Sequence, residues 1–187
     1  MTQRSRPTIT DLYTFAESHA GYFTTREAAA VGYSPQALRK QLLAGRIVRV
    51  LHGIYRLVHF PAGEQEQLAI LDLWANGQGV FSHETALAAY NLSDVLPAIV
   101  HMTVPEAWRK RRLRIPPGLR LHFADLQVSD TTWFGIVHIT NIYRTLLNCL
   151  ADNVRPDLLR DAFAQAKQRG LLTAAEAERL AEREVFQ

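Results

Sequence analysis

A single cysteine, Cys149, stands among the 187 residues. No internal disulfide can form, and no cysteine-based zinc site can be built. A reducing cytoplasm fits that usage. Long apolar runs are missing as well. None approaches the roughly 20 residues that cross a bilayer, so no contact with a membrane is expected. The opening residues, Met1 to Pro7, are basic but lack the apolar stretch of a signal peptide. Lysine is scarce after residue 60, where only Lys110 and Lys167 occur. Neither follows an acidic strand, so the carboxylate and lysine set of a metal-dependent nuclease is absent. There is no glycine-rich phosphate loop, no internal repeat and no low-complexity tract. What remains is a globular composition, 48% hydrophobic and 21% charged, long enough for one ordinary domain or two small ones.

Charge is divided unevenly along the chain. Residues 1–60 hold eight Arg and Lys against Asp11, Glu17 and Glu27, a net +5, whereas residues 61–187 are net −2. A small positive domain joined to a slightly negative one suggests a polyanion-binding head and a body with another task.

The head reads as three helices and a hairpin. Leu12, Phe15 and Ala16 have helical spacing between Thr8 and Ala20, with Thr8 or Thr10 to cap the start and Gly21 to stop it. Thr24 and Glu27 then have capping-box spacing, in which each side chain satisfies a free N–H of the first turn. The short helix that follows is rich in alanine, so another helix can cross it closely. Gly32 supplies a turn, Ser34 caps a third helix and Pro35 occupies its first position. Leu38 and Leu42 should face the core, leaving Gln36, Arg39, Lys40 and Leu43 on the opposite side. Helix, tight turn and helix with a basic outer face is the helix-turn-helix arrangement.

Two β-rich runs flank His52-Gly53, which predicts a hairpin with a two-residue turn. In the simplest register Leu51 pairs with Ile54, Val50 with Tyr55, and Arg49 with Arg56. Val48, Val50, Tyr55 and Leu57 would then pack on the helices. Arg49 and Arg56 would stand opposite each other on the outer face. Like charges so placed repel, and a phosphate between them would reverse the sign. The predicted DNA-contacting set is Thr25, Ser34, Gln36, Arg39, Lys40, Arg46, Arg49, His52 and Arg56. The same elements would also serve as a plain packing module or a protein-binding winged helix.

The residues themselves resemble a known family. The run from Gly21 to Gly32, then Leu38 and Leu42, then Gly45 to Leu57, is similar to the N-terminal domain of AbiEi-type antitoxins of bacterial toxin–antitoxin and abortive-infection systems. Ser82 to Leu87, Asn91 to Pro97, His101 to Pro105 and Ile142 to Leu147 resemble that family's second domain. The resemblance implies a winged helix that represses its own promoter, and a protein that counteracts a nucleotidyltransferase-like toxin.

The body is expected to start at residue 64, after a break at Pro61 to Gly63, and to run to residue 187. Helices are predicted from Glu64 to Ala75, Ser82 to Tyr90, Ile142 to Ala151, Pro156 to Arg169 and Ala174 to Glu184. Strands are predicted over Ile99 to Val104, Leu119 to Ala124 and Trp133 to Thr140. Without a regular βαβ rhythm, the class is α+β. His101, His122 and His138 lie in separate predicted strands and would form a metal site if those strands were neighbours. No further ligand accompanies them, so neither metal nor cofactor is assigned. Ser82 and His83 are read as a helix cap and its neighbour rather than a catalytic pair. Arg109, Lys110, Arg111, Arg112 and Arg114 form a second basic patch suited to DNA backbone or to a toxin.

The reading that gathers these features is a DNA-binding antitoxin with no enzymatic activity. Its expected partners are duplex DNA, which it would bind as a homodimer, and the cognate toxin. Two alternatives remain at this point. One is a winged-helix regulator whose body binds a ligand or dimerises; the other is a nuclease with a winged-helix head.

Overall fold

The computed structural model describes residues 9–61, 63–92 and 97–186. Thr8, an expected cap, lies outside them, as does part of the stretch from Asn91 to Pro97. The chain divides into two units, one running to Gly77 and the other starting at Gln78. Together they carry helices and sheets in an α+β fold.

In the first unit, α1 (Ile9–Glu17) is followed by β1 (Tyr22–Thr24), α2 (Thr25–Ala30), α3 (Pro35–Leu43), β2 (Ile47–Leu51), β3 (Ile54–Leu57) and α4 (Glu66–Trp74). Local chemistry fixes the helix starts. The Thr24–Glu27 capping box forms in full, and the Ser34 hydroxyl accepts from the Ala37 N–H at 3.2 Å. The sheet has the order β1-β3-β2, all antiparallel. One face carries Phe23, Ile47 and Leu57, which close a core with Leu12, Ala16, Ala28, Tyr33 and Leu38.

The hairpin forms with its two-residue turn, but not in the simplest register. A bulge between Arg49 and Leu51 pairs Arg49 with Tyr55 and Val48 with Arg56. The expected opposition of Arg49 and Arg56 therefore does not exist. The reason is arithmetic. The turn pairs Leu51 with Ile54, while the core needs Ile47 beside Leu57, each only 1% exposed. Four steps along β2 must match three along β3, so one residue bulges. Ile47 takes the core position expected of Val48, which is 43% exposed.

The helix α4 packs against β1 and β3 and belongs to the first unit, although the sequence reading placed it in the body. It covers the sheet face opposite the core, where alternation puts Tyr22, Ile54 and Arg56. With Glu64, Glu66 and Asp72 included, the first unit is net +2 and the second net +1. The sharp charge division thus belongs to the winged segment alone.

In the second unit, β4 (Val80–Phe81), α5 (His83–Ala89), β5 (Val100–Val104), β6 (Leu119–Phe123), β7 (Thr131–Phe134) and β8 (Val137–Thr140) precede three helices, α6 (Ile142–Ala151), α7 (Pro156–Gln168) and α8 (Ala174–Ala181). The strand expected from Trp133 to Thr140 is in fact a hairpin, β7 with β8, turning at Gly135 with φ +60°. The sheet order is β6-β5-β4-β8-β7, mixed parallel and antiparallel. Helices α5 to α8 share a core of Leu87, Leu146, Leu159, Phe163 and Leu180 with the buried Cys149. Burial pushes the Cys149 thiol pKa far up, so it acts as a small apolar residue.

Candidate functional site

Helix α3 presents the outer face that its spacing predicted. Leu38 is buried and Leu42 half-buried, while Ser34, Gln36, Arg39, Lys40 and Leu43 are exposed. Leu43 is 80% exposed, an unusual cost for a large apolar side chain at the end of a helix. Neither Arg39 nor Lys40 makes an ion pair with another described residue. Their charges are therefore uncompensated locally, on a helix held from behind by the core. The Arg46 side chain donates to Gln41 Oε1 at 3.2 Å and remains exposed. Arg26, exposed on α2, adds a cation that the sequence reading did not single out; only its place two residues after the cap could have signalled it.

The wing is braced against α2. The backbone N–H of Thr25 donates to the Gly53 carbonyl at 2.8 Å, and its hydroxyl donates to the same oxygen at 3.2 Å. Thr25 thus anchors the wing tip. Beside it, the Arg49 guanidinium donates to Nδ1 of His52 at 2.7 Å and to the Leu51 carbonyl at 3.3 Å. Since arginine can only donate, His52 carries its proton on Nε2. Arg49 and His52 form one exposed polar cluster at the tip.

Arg56 turns the other way. Its side chain is 19% exposed and pairs with Glu66 of α4 at 3.1 Å. It also donates to the Phe60 carbonyl at 3.0 Å and lies over the Tyr22 ring. Alternation along β3 puts it on the outer face, which α4 covers, so its charge is engaged within the fold. Replacing Arg56 with Ala should cost about 1–2 kcal/mol of stability, because a partly buried charged hydrogen bond is lost. Arg49→Ala should leave stability unchanged and reduce the salt slope of DNA binding by about one phosphate. Thermal melts and salt titrations of the two variants test this; an Arg56→Ala protein as stable as wild type would refute the assignment.

The second basic run also divides. Residues Glu106–Lys110 form a 3-10 helix. In it Arg109 is bidentate to Glu106 and covers the Phe123 ring, and beyond it Arg111 covers Trp108. Lys110, Arg112 and Arg114 are exposed and make no ion pair with another described residue.

His138 packs against Trp133 in a tilted ring contact with centroids 3.8 Å apart, away from the other two histidines considered at first. In its place the structure brings His83 to His101 and His122. Ser82 does not cap α5 with its side chain; its hydroxyl bonds His83 Nδ1 and Thr103 Oγ1, both at 2.8 Å. The contact between neighbours Ser82 and His83, discounted from sequence alone, is thus made.

Among the described residues no helix is long and apolar enough to cross a membrane. Residues 11–58 match a family described as transcriptional regulator, AbiEi antitoxin. The match spans the winged-helix segment, stops short of α4, and agrees with the resemblance carried by these residues. No curated protein matches the chain. Among solved structures, the RV2827C protein from Mycobacterium tuberculosis is similar over 91% of this chain and 69% of that one, with a TM-score of 0.52 and 14% identity. At that identity the likeness is one of fold.

Proposed function

We propose that this protein is a cytoplasmic transcriptional regulator that binds duplex DNA, represses its own promoter, and serves as the antitoxin to a nucleotidyltransferase-like toxin. One observation carries the reading. An AbiEi-type winged helix offers Gln36, Arg39 and Lys40 on α3 as exposed donors, with no ion pair to another described residue. A helix with this face fits the major groove, where Arg reads guanine and Gln reads adenine. Ser34, Arg46, Arg49 and His52 then meet the backbone, and Thr25 holds the wing in register for them. A dimer would place two such helices on successive turns of a palindromic operator.

Toxin neutralisation is assigned to the second unit. Its contact surface is the part of the basic run left uncompensated, namely Lys110, Arg112 and Arg114. The test co-expresses the full chain with the product of a neighbouring gene and reads growth together with a promoter reporter. Repression and rescue are both expected. Replacing Lys110, Arg112 and Arg114 with Ala should abolish rescue and leave repression intact. A chain that neither binds its promoter fragment nor rescues growth would end this reading.

A further inference from the structure

We propose that His83, His101 and His122 hold a divalent transition-metal ion of the zinc class, with one coordination position open to the adjoining pocket. The inference is independent of the DNA reading and concerns the second unit alone.

The fold brings the three rings together from separate elements. His101 is the second residue of β5, and His122 lies in β6, the parallel neighbour. The pairing of His101 with Arg120 and of Thr103 with His122 puts both imidazoles on one sheet face. His83, the first residue of α5, lies over that face. His101 Nδ1 and His122 Nε2 are 3.0 Å apart. The His83 ring stacks on His122 with centroids 3.5 Å apart. One nitrogen from each histidine lies within 4.8 Å of the other two. Zinc–nitrogen bonds of about 2.0–2.1 Å imply ligand nitrogens about 3.4 Å apart in a tetrahedron. The His101–His122 pair is already near that spacing. A rotation of His83 off its stack brings in the third.

The outer nitrogens are held in the manner of a metal site. His83 Nδ1 bonds Ser82 Oγ at 2.8 Å, and Ser82 Oγ in turn bonds Thr103 Oγ1. His101 Nε2 faces Glu84 Oε2 at 3.6 Å. A histidine ligand whose other nitrogen meets a carboxylate or hydroxyl is fixed in tautomer and orientation. When His101 coordinates through Nδ1, its proton sits on Nε2, toward Glu84, and no net charge must leave the cluster.

One further observation supports a ligand. His83 has φ +54°, a conformation rare outside glycine, and strain of this kind concentrates at functional sites.

Beside the cluster is a pocket of about 360 Å³, lined by His83, His122, Thr103, Arg109, Arg144 and Asn148. The Asn148 amide nitrogen is buried without a hydrogen-bond partner. Two guanidiniums and a spare amide donor around the open position favour water, hydroxide or a small oxyanion as the fourth ligand.

The test titrates the full chain, freed of metal by chelation, with Zn²⁺ against a chromophoric chelator, and with Co²⁺ while recording visible absorption. One ion per chain is expected, with the intense bands of tetrahedral cobalt. His83→Gln and His122→Gln should abolish stoichiometric binding, and Glu84→Gln should weaken it about 10-fold. His138→Ala is the control and should bind as wild type. Far-UV circular dichroism identifies any variant that fails to fold; Glu84→Gln, which removes no ligand, keeps the test decisive in that event. Absence of tight binding by the wild type, or binding indifferent to both His83→Gln and His122→Gln, would overturn the assignment.

Discussion

Replacing Arg39 and Lys40 together with alanine should lower the affinity for promoter DNA by about 100-fold, without a measurable change in stability. Loss of a bidentate arginine–guanine contact costs about 1–3 kcal/mol and relaxes preference at one base pair. Loss of a lysine–phosphate contact weakens binding to every sequence and reduces the salt slope by about one. Both side chains are exposed and pair with no other described residue, so truncation should move the melting free energy by no more than about 0.5 kcal/mol. Lys40→Ala alone should show the sequence-independent loss, and Arg39→Ala the loss of preference. Fluorescence anisotropy with operator and scrambled duplexes at several salt concentrations separates the two. An Arg39→Ala protein that still discriminates between those duplexes would remove α3 from the groove.

What the sequence made legible was set by range. The Thr24–Glu27 box, the Ser34-Pro35 start and the His52-Gly53 turn depend on residues within four of each other, and all form. The exposed face of α3 follows from period alone. The bulge in β2 was hidden because it reconciles two demands, one from the turn and one from the core, neither of which fixes the register by itself. That single residue takes Arg49 off the face that carries Arg56. Arg49 ends at the wing tip with His52, and Arg56 ends under α4 with Glu66. Short strands were missed for a different reason. With three residues in β1 and two in β4 there is no alternation to read. The histidine cluster depended on which strands are neighbours. The sequence reading grouped His138 with His101 and His122; the order β6-β5-β4-β8-β7 separates β8 from β5, and His83, not considered there, takes its place.

The second large effect tests the junction between α1 and the sheet. Gly21→Ala should cost about 3–5 kcal/mol and unfold the first unit near body temperature. Gly21 has φ +89°, a value that an L side chain adopts only under strain. A methyl group there would lie 2.6 Å from Phe60 Cγ and 2.7 Å from Phe60 Cβ. Phe60 has little room to yield. Its ring packs near Tyr13, and its carbonyl accepts from Arg56, which is itself bound to Glu66. Gly21 cannot move away, because its N–H donates to the Ala16 carbonyl at 2.7 Å and its carbonyl accepts from Leu57 at 3.0 Å. Gly45→Ala supplies the contrast. Its φ is +66°, but a methyl group there meets nothing within 4 Å, so only backbone strain of about 1–2 kcal/mol is added. Hydrogen exchange on the intact chain reads both variants by segment. In Gly21→Ala the amides of α1, β1 and β3 should lose protection, DNA binding should fall with them, and the amides of α6 and α7 should keep theirs. Equal protection of α1 in the two alanine variants would mean that Phe60 moves aside freely, and that the packing of α1 against the sheet does not depend on this close approach.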